Sequence, residues 1–313
     1  MNTKLVVAAG LVFVAIATPL TSRAVTLQVN CNNPSSRLPT ISAALKIVSG
    51  LVGSLGANTI EVTGACHENI TLTGVSGLTL TAQPGASITD ASGGTKPVID
   101  VERSTDFALN GFAIRGGGGP FLSGVVCGTN STCYFSNNNV QVPNFTGVTA
   151  FVGSAVALDH DVLEQSGGGL AVISGSRAVV NAATIRNNTG NGVIVVSSSF
   201  FNAIGATNIA NNGANGVFVA QHSQALLGGV TITGNGTAGV FAEEQADATF
   251  FIGGNTISGN RFGVAIQDMS WAGFSDGSTV VSGSATQPDI LCWGNHSGAR
   301  LTAANGTTNC PPP

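Results

Sequence analysis

The chain has 313 residues, of which only 8% are charged, and it contains 43 glycines. Its 11 basic and 15 acidic residues leave a net charge of −4, without the basic clusters that neutralise phosphates, so we do not expect nucleic-acid binding. A composition rich in glycine and poor in charge fits stacked coils of short strands with Ser, Thr, Asn and Gly at the surface.

The segment from Met1 to Ala24 has the pattern of a secretory signal peptide. Lys4 supplies a positive charge, an apolar run follows as far as Leu20, and Ser22-Arg23-Ala24 provides small residues at a cleavage site. The run is short for a membrane span, and no later segment approaches the roughly 18 apolar residues that a span needs. Removal of Lys4 and Arg23 leaves nine basic and 15 acidic residues, a net charge of −6. We expect a secreted or periplasmic protein with no membrane span.

All six cysteines follow that segment, at Cys31, Cys66, Cys127, Cys133, Cys292 and Cys310. None has the Cys-x-x-Cys spacing of a zinc or redox motif, and an even number in an exported chain predicts disulfides. Fifteen connectivities are possible. Proximity in the sequence favours Cys31 with Cys66, Cys127 with Cys133, and Cys292 with Cys310, and the outer two pairs would staple the two ends of the chain.

The segment from Pro39 to Val48 has the one convincing helix pattern. Thr40 can cap it, and its apolar residues recur at the spacing of one helix face. These residues are Ile41, Ala44, Leu45 and Val48. Because an open end of a coil stack exposes core and strand edges, we expect this helix to cover that end, within an N-terminal cap at residues 25–57.

Short segments with strand-like alternation follow between residues 58 and 114. His67 and Glu68 lie between two of them and could be read as catalytic groups. We interpret them as an exposed corner between strands.

A short Gly-Val phrase returns at a nearly constant interval in the centre of the chain. Its glycines are Gly169, Gly192, Gly216, Gly239 and Gly263. The register extends back to Gly147 and Gly124. A fixed period indicates a repeat architecture, and each repeat has room for three short strands and three bends. The residue after the glycine should face the interior in every coil, so we expect Val193, Val217, Val240 and Val264 to stack in one column.

The phrases Gly239-Val240-Phe241 and Asn255 to Asn260 resemble the parallel β-helix repeat of the pectin-lyase-like superfamily. The resemblance implies one all-β domain at residues 25–313, a single right-handed parallel β-helix of about ten coils with a C-terminal cap at residues 270–313. It also implies a hydrogen-bonded ladder of asparagine side chains. The recurring asparagines are Asn188, Asn212, Asn235 and Asn260, and we interpret them as architecture.

Enzymes of this superfamily usually work in the groove beside the first strand of each coil. The outward positions there are predicted to be apolar, at Phe151, Ile173, Ile194, Val196, Phe218 and Phe241. The polygalacturonase signatures (Asn-x-Asp, Asp-Asp, Gly-His-Gly and Arg-x-Lys) are missing, and beyond Ala24 the only lysines are Lys46 and Lys96. The resemblance therefore implies the fold and leaves the site open.

Two groups of ionisable residues remain as candidates. Coil stacking should bring Gln221, Glu244 and Asp268 together at the first bend, flanked by His222, Glu243 and Gln267. We interpret this group as a solvated edge, with a contact to a sugar or to a cation such as Ca²⁺ and catalysis as the alternatives.

The second group, Asp159-His160-Asp161 with Glu164, resembles the Asp-Pro-His-Asp signature of alginate epimerases but lacks its proline. We place His160 in the second bend, level with Asn255 of a later coil, as a corner histidine.

These observations favour a non-catalytic, exported, monomeric protein that lies against polysaccharide or another cell-envelope surface through Phe218 and Phe241, without a cofactor or a metal site. The alternative is a polysaccharide lyase, glycoside hydrolase or epimerase of an unfamiliar branch, with Glu243, Glu244, Asp268 and His222 as its candidate groups. A purely structural surface or spore-coat role is a third reading.

Overall fold

The computed structural model describes residues 24–50, 57–119, 122–251, 253–275, 278–294, 297–301 and 306–311. The predicted signal peptide lies outside these residues, apart from Ala24. Among the helices of the described part, none has the length and apolar character needed to cross a membrane.

The described residues form one helix, α1 (Ile41–Gly50), and strands that we number along the chain. The strands build three parallel sheets in about ten turns of chain. Sheet 1 contains β4 (Ile70–Thr73), β7 (Ile99–Glu102), β10 (Ser123–Gly128), β13 (Thr146–Phe151), β16 (Gly168–Ile173), β19 (Val193–Val196), β22 (Val217–Val219), β25 (Ala238–Ala242), β28 (Phe262–Gln267) and β31 (Ile290–Trp293).

Sheet 2 contains β1 (Thr26–Asn30), β2 (Asn58–Thr63), β5 (Leu78–Ala82), β8 (Phe107–Asn110), β11 (Thr132–Ser136), β14 (Ala155–Asp159), β17 (Arg177–Asn181), β20 (Phe200–Ile204), β23 (Gln224–Gly228), β26 (Asp247–Phe251), β29 (Trp271–Phe274) and β32 (Gly298–Leu301). Sheet 3 contains β3 (Ala65–His67), β6 (Ser87–Thr89), β9 (Ala113–Arg115), β12 (Asn139–Gln141), β15 (Val162–Glu164), β18 (Thr184–Arg186), β21 (Asn208–Ala210), β24 (Thr231–Thr233), β27 (Thr256–Ser258) and β30 (Val280–Ser282). One turn of chain visits each sheet once, so the predicted parallel β-helix is confirmed.

The predicted valine column runs through sheet 1. Val193 pairs with Val217, Val217 with Val240, and Val240 with Val264. All four are completely buried in one continuous core. Because side chains alternate across a strand, this column places the intervening residues on the outer face of sheet 1.

The repeat glycines are required by close packing between coils. A Cβ atom on Gly216 would lie 2.6 Å from the carbonyl oxygen of Gly239, and one on Gly239 would lie 2.7 Å from that of Gly263. These separations are too short for any side chain. The periodic glycine therefore marks the point where each coil turns closest to the next.

The predicted asparagine ladder is also present, at the third bend. Nδ2 of Asn188 donates to Oδ1 of Asn212 at 2.9 Å, and the same bond joins Asn212 to Asn235 at 3.0 Å and Asn235 to Asn260 at 2.9 Å. The four side chains are buried. The ladder satisfies polar groups that the bend would otherwise leave unpaired.

A serine ladder that sequence reasoning missed lines the first bend. The backbone N–H of each serine donates to Oγ of the serine one coil later, at 3.0 to 3.3 Å. Its members are Ser104, Ser131, Ser154, Ser176, Ser199 and Ser223. The return of a serine once per coil from Ser104 to Ser223 is the signal that could have revealed them.

Helix α1 covers the N-terminal end, as predicted. Ile41, Ala44 and Val48 are buried in the core, and Thr40 Oγ1 accepts from the N–H of Ala43 at 3.1 Å. The interpretation of Glu68 as an exposed corner was wrong. Its carboxylate accepts from the N–H groups of Ile41 at 2.7 Å and Ser42 at 3.0 Å, so Glu68 caps the first turn from a different coil.

The three predicted disulfides are all present. Cys31 is bonded to Cys66, Cys127 to Cys133, and Cys292 to Cys310. The first joins the residue that follows β1 to β3 of sheet 3, and the second lies buried inside the coils. Such bonds persist in oxidising compartments, which fits a protein located outside the cytoplasm.

The coils continue into the segment predicted as a C-terminal cap. Strand β29 pairs in parallel with β26, and β32 pairs with β29. The strands of sheet 2 therefore stay in regular register in this segment, although its sequence repeat is irregular.

Candidate functional site

The outer face of sheet 1 carries a row of side chains from consecutive coils. Ile194 pairs with Phe218 and Phe218 with Phe241. Phe241 pairs in turn with Ala265, and Ala265 with Leu291. The predicted outward positions Phe151, Ile173 and Val196 also lie on this face, partly exposed.

Four aromatic rings at the C-terminal end of sheet 1 contact one another and form what we call the aromatic platform: Phe218, Phe241, Phe262 and Trp293. The ring centres of Phe218 and Phe241 are 5.8 Å apart, those of Phe241 and Trp293 are 6.4 Å apart, and those of Phe262 and Trp293 are 5.3 Å apart. The platform spans four neighbouring strands, roughly 14 Å at the spacing of a parallel sheet. It is long enough for more than one sugar ring.

A small residue, Ala265, allows the rings of Phe241 and Trp293 to meet. Ala265 lies in the row between Phe241 and Leu291 and is completely buried, although it is not part of the core. With only a methyl group at this position, Trp293 can reach across to Phe241. Sequence reasoning found Phe218 and Phe241 but missed Phe262 and Trp293. Trp293 could have been found from its position in the repeat, because it lies opposite Gln267 in the next coil.

The predicted stack at the first bend is present and borders the platform. The N–H of His222 donates to the carbonyl of Glu244 at 3.1 Å, and the N–H of Gln245 to that of Asp268 at 3.0 Å. Glu244 and Asp268 are exposed and Glu243 is half-buried. Burial raises the pKa of the Glu243 carboxyl, and the negative charges of Glu244 and Asp268 raise it further.

The acidic side chains at this bend are close enough for their charges to interact, but their carboxylate oxygens do not form a compact group of possible metal ligands. Among the described residues, one group of three His, Cys, Asp or Glu side chains has its donor atoms within 4.8 Å of one another, and it consists of Cys31, Cys66 and Glu68. Two of these are disulfide-bonded and the third caps α1. Glu243, Glu244 and Asp268 are more widely spaced than this group.

The groove also carries acids that sequence reasoning missed. Asp100 and Glu102 lie two residues apart on β7, in register with Thr71 and Thr73 of β4 on one side and with Val126 and Gly128 of β10 on the other. Burial and the charge of Glu102 raise the pKa of Asp100, and its Oδ1 atom is buried without a hydrogen-bond partner. The description of the groove as an apolar stripe therefore does not extend to the N-terminal coil that contains β7.

The residues Asp159, His160 and Asp161 do not converge on one site. His160 Nδ1 lies 3.1 Å from Asp159 Oδ2 at the surface, whereas Asp161 is buried and accepts hydrogen bonds from Asn138. The position level with Asn255 is Asp161, since each precedes a strand of sheet 3, so the predicted alignment of His160 with Asn255 was wrong by one residue.

Glu164 belongs to a separate polar network on sheet 3. Its Oε2 lies 3.0 Å from Nε of Arg186, and its Oε1 accepts from Asn139 at 3.0 Å and Gln141 at 3.1 Å. These bonds lower the pKa of Glu164, chiefly that from Asn139.

Comparison with known proteins supports the architecture. Residues 123–273 match the family model described as a right handed beta helix region. The chain is a right-handed parallel β-helix, and it resembles the repeat proteins of the pectin-lyase-like superfamily. The chain matches none of the curated proteins in sequence.

Several solved structures share this β-helix at low sequence identity. The A-module of mannuronan C-5 epimerase AlgE4 from Azotobacter vinelandii is 12% identical with a TM-score of 0.57, over 90% of this chain and 95% of that one. The AlgE6 A-module from the same organism is 13% identical with a TM-score of 0.61, over 85% and 90%. The pectate lyase Pel9A is 12% identical with a TM-score of 0.60, over 93% and 82%. Similarity at this level of sequence identity shows a shared fold.

Proposed function

We propose that this β-helix protein works outside the cytoplasm and binds a polysaccharide through the aromatic platform without cleaving it. The observation that supports this is the continuous contact among Phe218, Phe241, Trp293 and Phe262 on a partly exposed sheet face. Aromatic rings offer large, rigid surfaces for the apolar faces of sugar rings. Polar groups beside them, at Glu243 and Gln267, can accept and donate hydrogen bonds to hydroxyls.

The chemistry of the groove supports binding over elimination. A β-eliminating enzyme needs a base near the sugar carbon and a way to stabilise an anion, and such acid–base steps typically contribute about 10² to 10⁴-fold. No lysine occurs in the repeats from Gly124 to Gln267. The acidic side chains at the first bend lie at the edge of the platform.

An adsorption assay tests the proposal. The protein is mixed with insoluble cellulose, chitin or a plant cell-wall preparation, and the amount left in solution is measured. The double variant Phe218→Ser/Phe241→Ser should lose most adsorption. Phe151→Ser, an outward phenylalanine on the same sheet but outside the platform, serves as the matched control and should adsorb normally. Equal adsorption of the double variant and the control would remove the platform from consideration.

A second candidate function rests on Asp100 and Glu102. Glycosidic-bond hydrolysis uses two carboxyl groups, one with a raised pKa that acts as the acid, and these two side chains lie on the same face of β7. Release of reducing ends from a polysaccharide, abolished by Asp100→Asn and retained in Phe218→Ser/Phe241→Ser, would favour hydrolysis over simple binding.

A further inference from the structure

A cavity lies on a different face of the molecule from the aromatic platform, on sheet 2 near its C-terminal end. It has a volume of about 560 Å³ and is lined by Asp247, Thr249, Trp271, Gly273 and Arg300, among others. Its volume is within the range of small-molecule sites. These residues come from three consecutive coils, and none of them belongs to the aromatic platform.

Trp271 forms one wall of this cavity because the next coil leaves room for it. Trp271 pairs with Gly298, and a Cβ atom on Gly298 would lie 2.7 Å from Cζ3 of the indole. The ring therefore lies directly against the backbone of β32. It is nevertheless 45% exposed, which leaves much of its surface open to a ligand.

Gly273 keeps the floor of the cavity open. A Cβ atom there would meet only Thr249, at 3.5 Å or more, which is an ordinary contact. Its φ lies outside the left-handed region, so neither the backbone nor close packing demands glycine. This distinguishes Gly273 from the repeat glycines, and what its missing side chain provides is space beside Trp271.

Charged groups stand at opposite corners of this space. Arg300 on β32 lies beside Gly273 on β29, and Asp247 on β26 lies beside Trp271 on β29. The strands that carry them are two spacings apart, roughly 10 Å, so one sugar ring fits between them. Thr249, beside Gly273, adds a hydroxyl that can donate or accept.

We propose that this cavity binds a single sugar residue that bears a carboxylate. The ring stacks on Trp271 above Gly273, the guanidinium of Arg300 binds the sugar carboxylate through paired charge-assisted hydrogen bonds, and Asp247 and Thr249 bind ring hydroxyls. The site is separate from the aromatic platform, so it can exist whether or not the platform binds polysaccharide.

The two tryptophans allow the two sites to be read separately, because the chain has only Trp271 and Trp293. In the variant Trp293→Phe, all tryptophan fluorescence comes from the cavity. Titration with D-glucuronate and D-galacturonate should change this signal with saturation, whereas D-glucose should not. The reciprocal variant Trp271→Phe reports on the platform, so failure at one site is distinguishable from failure at the other.

Two further variants locate the ligand, both made in the Trp293→Phe protein. Gly273→Leu fills the cavity and should abolish the response, whereas Ala157→Leu, in the same outward row of sheet 2, should not. Arg300→Met should weaken uronate binding by about tenfold or more, the value of a charge-assisted hydrogen bond. Thermal unfolding verifies that each variant is folded.

Four results would overturn the proposal. The cavity is not a sugar site if no sugar changes the fluorescence of Trp271, or if Gly273→Leu and Arg300→Met bind uronate as the parent does. The carboxylate assignment is wrong if glucose binds as tightly as glucuronate. A response to polymeric uronate but not to the monosaccharides would likewise exclude a single-residue site.

Discussion

One carboxylate oxygen of Asp161 accepts two hydrogen bonds from Asn138, from its backbone N–H at 2.8 Å and from its Nδ2 at 2.9 Å. Asp161 stands at the second bend with 1% of its surface exposed. Burial raises the pKa of its carboxyl from 3.8 to about 6 despite these bonds. A structural aspartate in the coil interior therefore titrates near neutral pH.

This pKa predicts a pH dependence of stability. The folded-state pKa is above the unfolded value, so the contribution of Asp161 is fully present below about pH 4 and is lost as the pH rises through about 6. Because asparagine does not titrate, the free energy of unfolding of Asp161→Asn should rise relative to wild type between pH 4 and pH 7.5. The rise should be at most about 3 kcal/mol. Urea unfolding at both pH values measures it, and a constant difference between the two proteins would contradict the prediction.

The valine column predicts a strong asymmetry within one strand. Val217→Asp should cost several kcal/mol or prevent folding, because it buries an unpaired charge between Val193 and Val240. The same charge at the adjacent outward position, Phe218→Asp, should cost far less. Thermal unfolding compares the two variants, and similar losses in both would show that the strand does not face the core as described.

The repeat glycines predict that even a methyl group is harmful between coils. Gly216→Ala should destabilise the protein by about 1 to 3 kcal/mol, since its Cβ would lie 2.6 Å from the Gly239 oxygen. Gly273→Ala is the control, with space for the methyl group. It should be neutral or slightly stabilising, because alanine restricts the unfolded chain. Chemical denaturation distinguishes the two, and an unchanged Gly216→Ala would contradict the packing argument.

The capping of α1 by Glu68 predicts a local effect. Glu68→Ala should lower stability by about 0.5 to 2 kcal/mol, the range for loss of a helix cap, and should speed hydrogen exchange at the N–H groups of Ile41 and Ser42. The neighbouring exposed variant His67→Ala should change neither. Unaltered exchange in Glu68→Ala would mean that the helix does not depend on this carboxylate.

Much of the fold followed from the sequence because its contacts repeat at nearly constant separation. Gly192 and Gly216 stand one repeat apart and the valines that flank them alternate in the same way, so stacking one coil aligns all the others. The valine column and the asparagine ladder are consequences of that period, whereas the N-terminal helix followed from the helical spacing of its own apolar residues. The disulfides followed from proximity, since each pair closes a short loop.

Contacts between side chains that depend on irregular bends were revealed only by the tertiary structure. The capping of α1 by Glu68, the burial of Asp161 beside the exposed His160, and the contact of Trp293 with Phe241 across Ala265 each depend on how many residues a particular bend contains. One residue more or less at a bend turns a side chain from the interior to the surface. The repeat period determines which strands stack, but the lengths of the bends determine which outward side chains become neighbours, and those lengths vary from coil to coil.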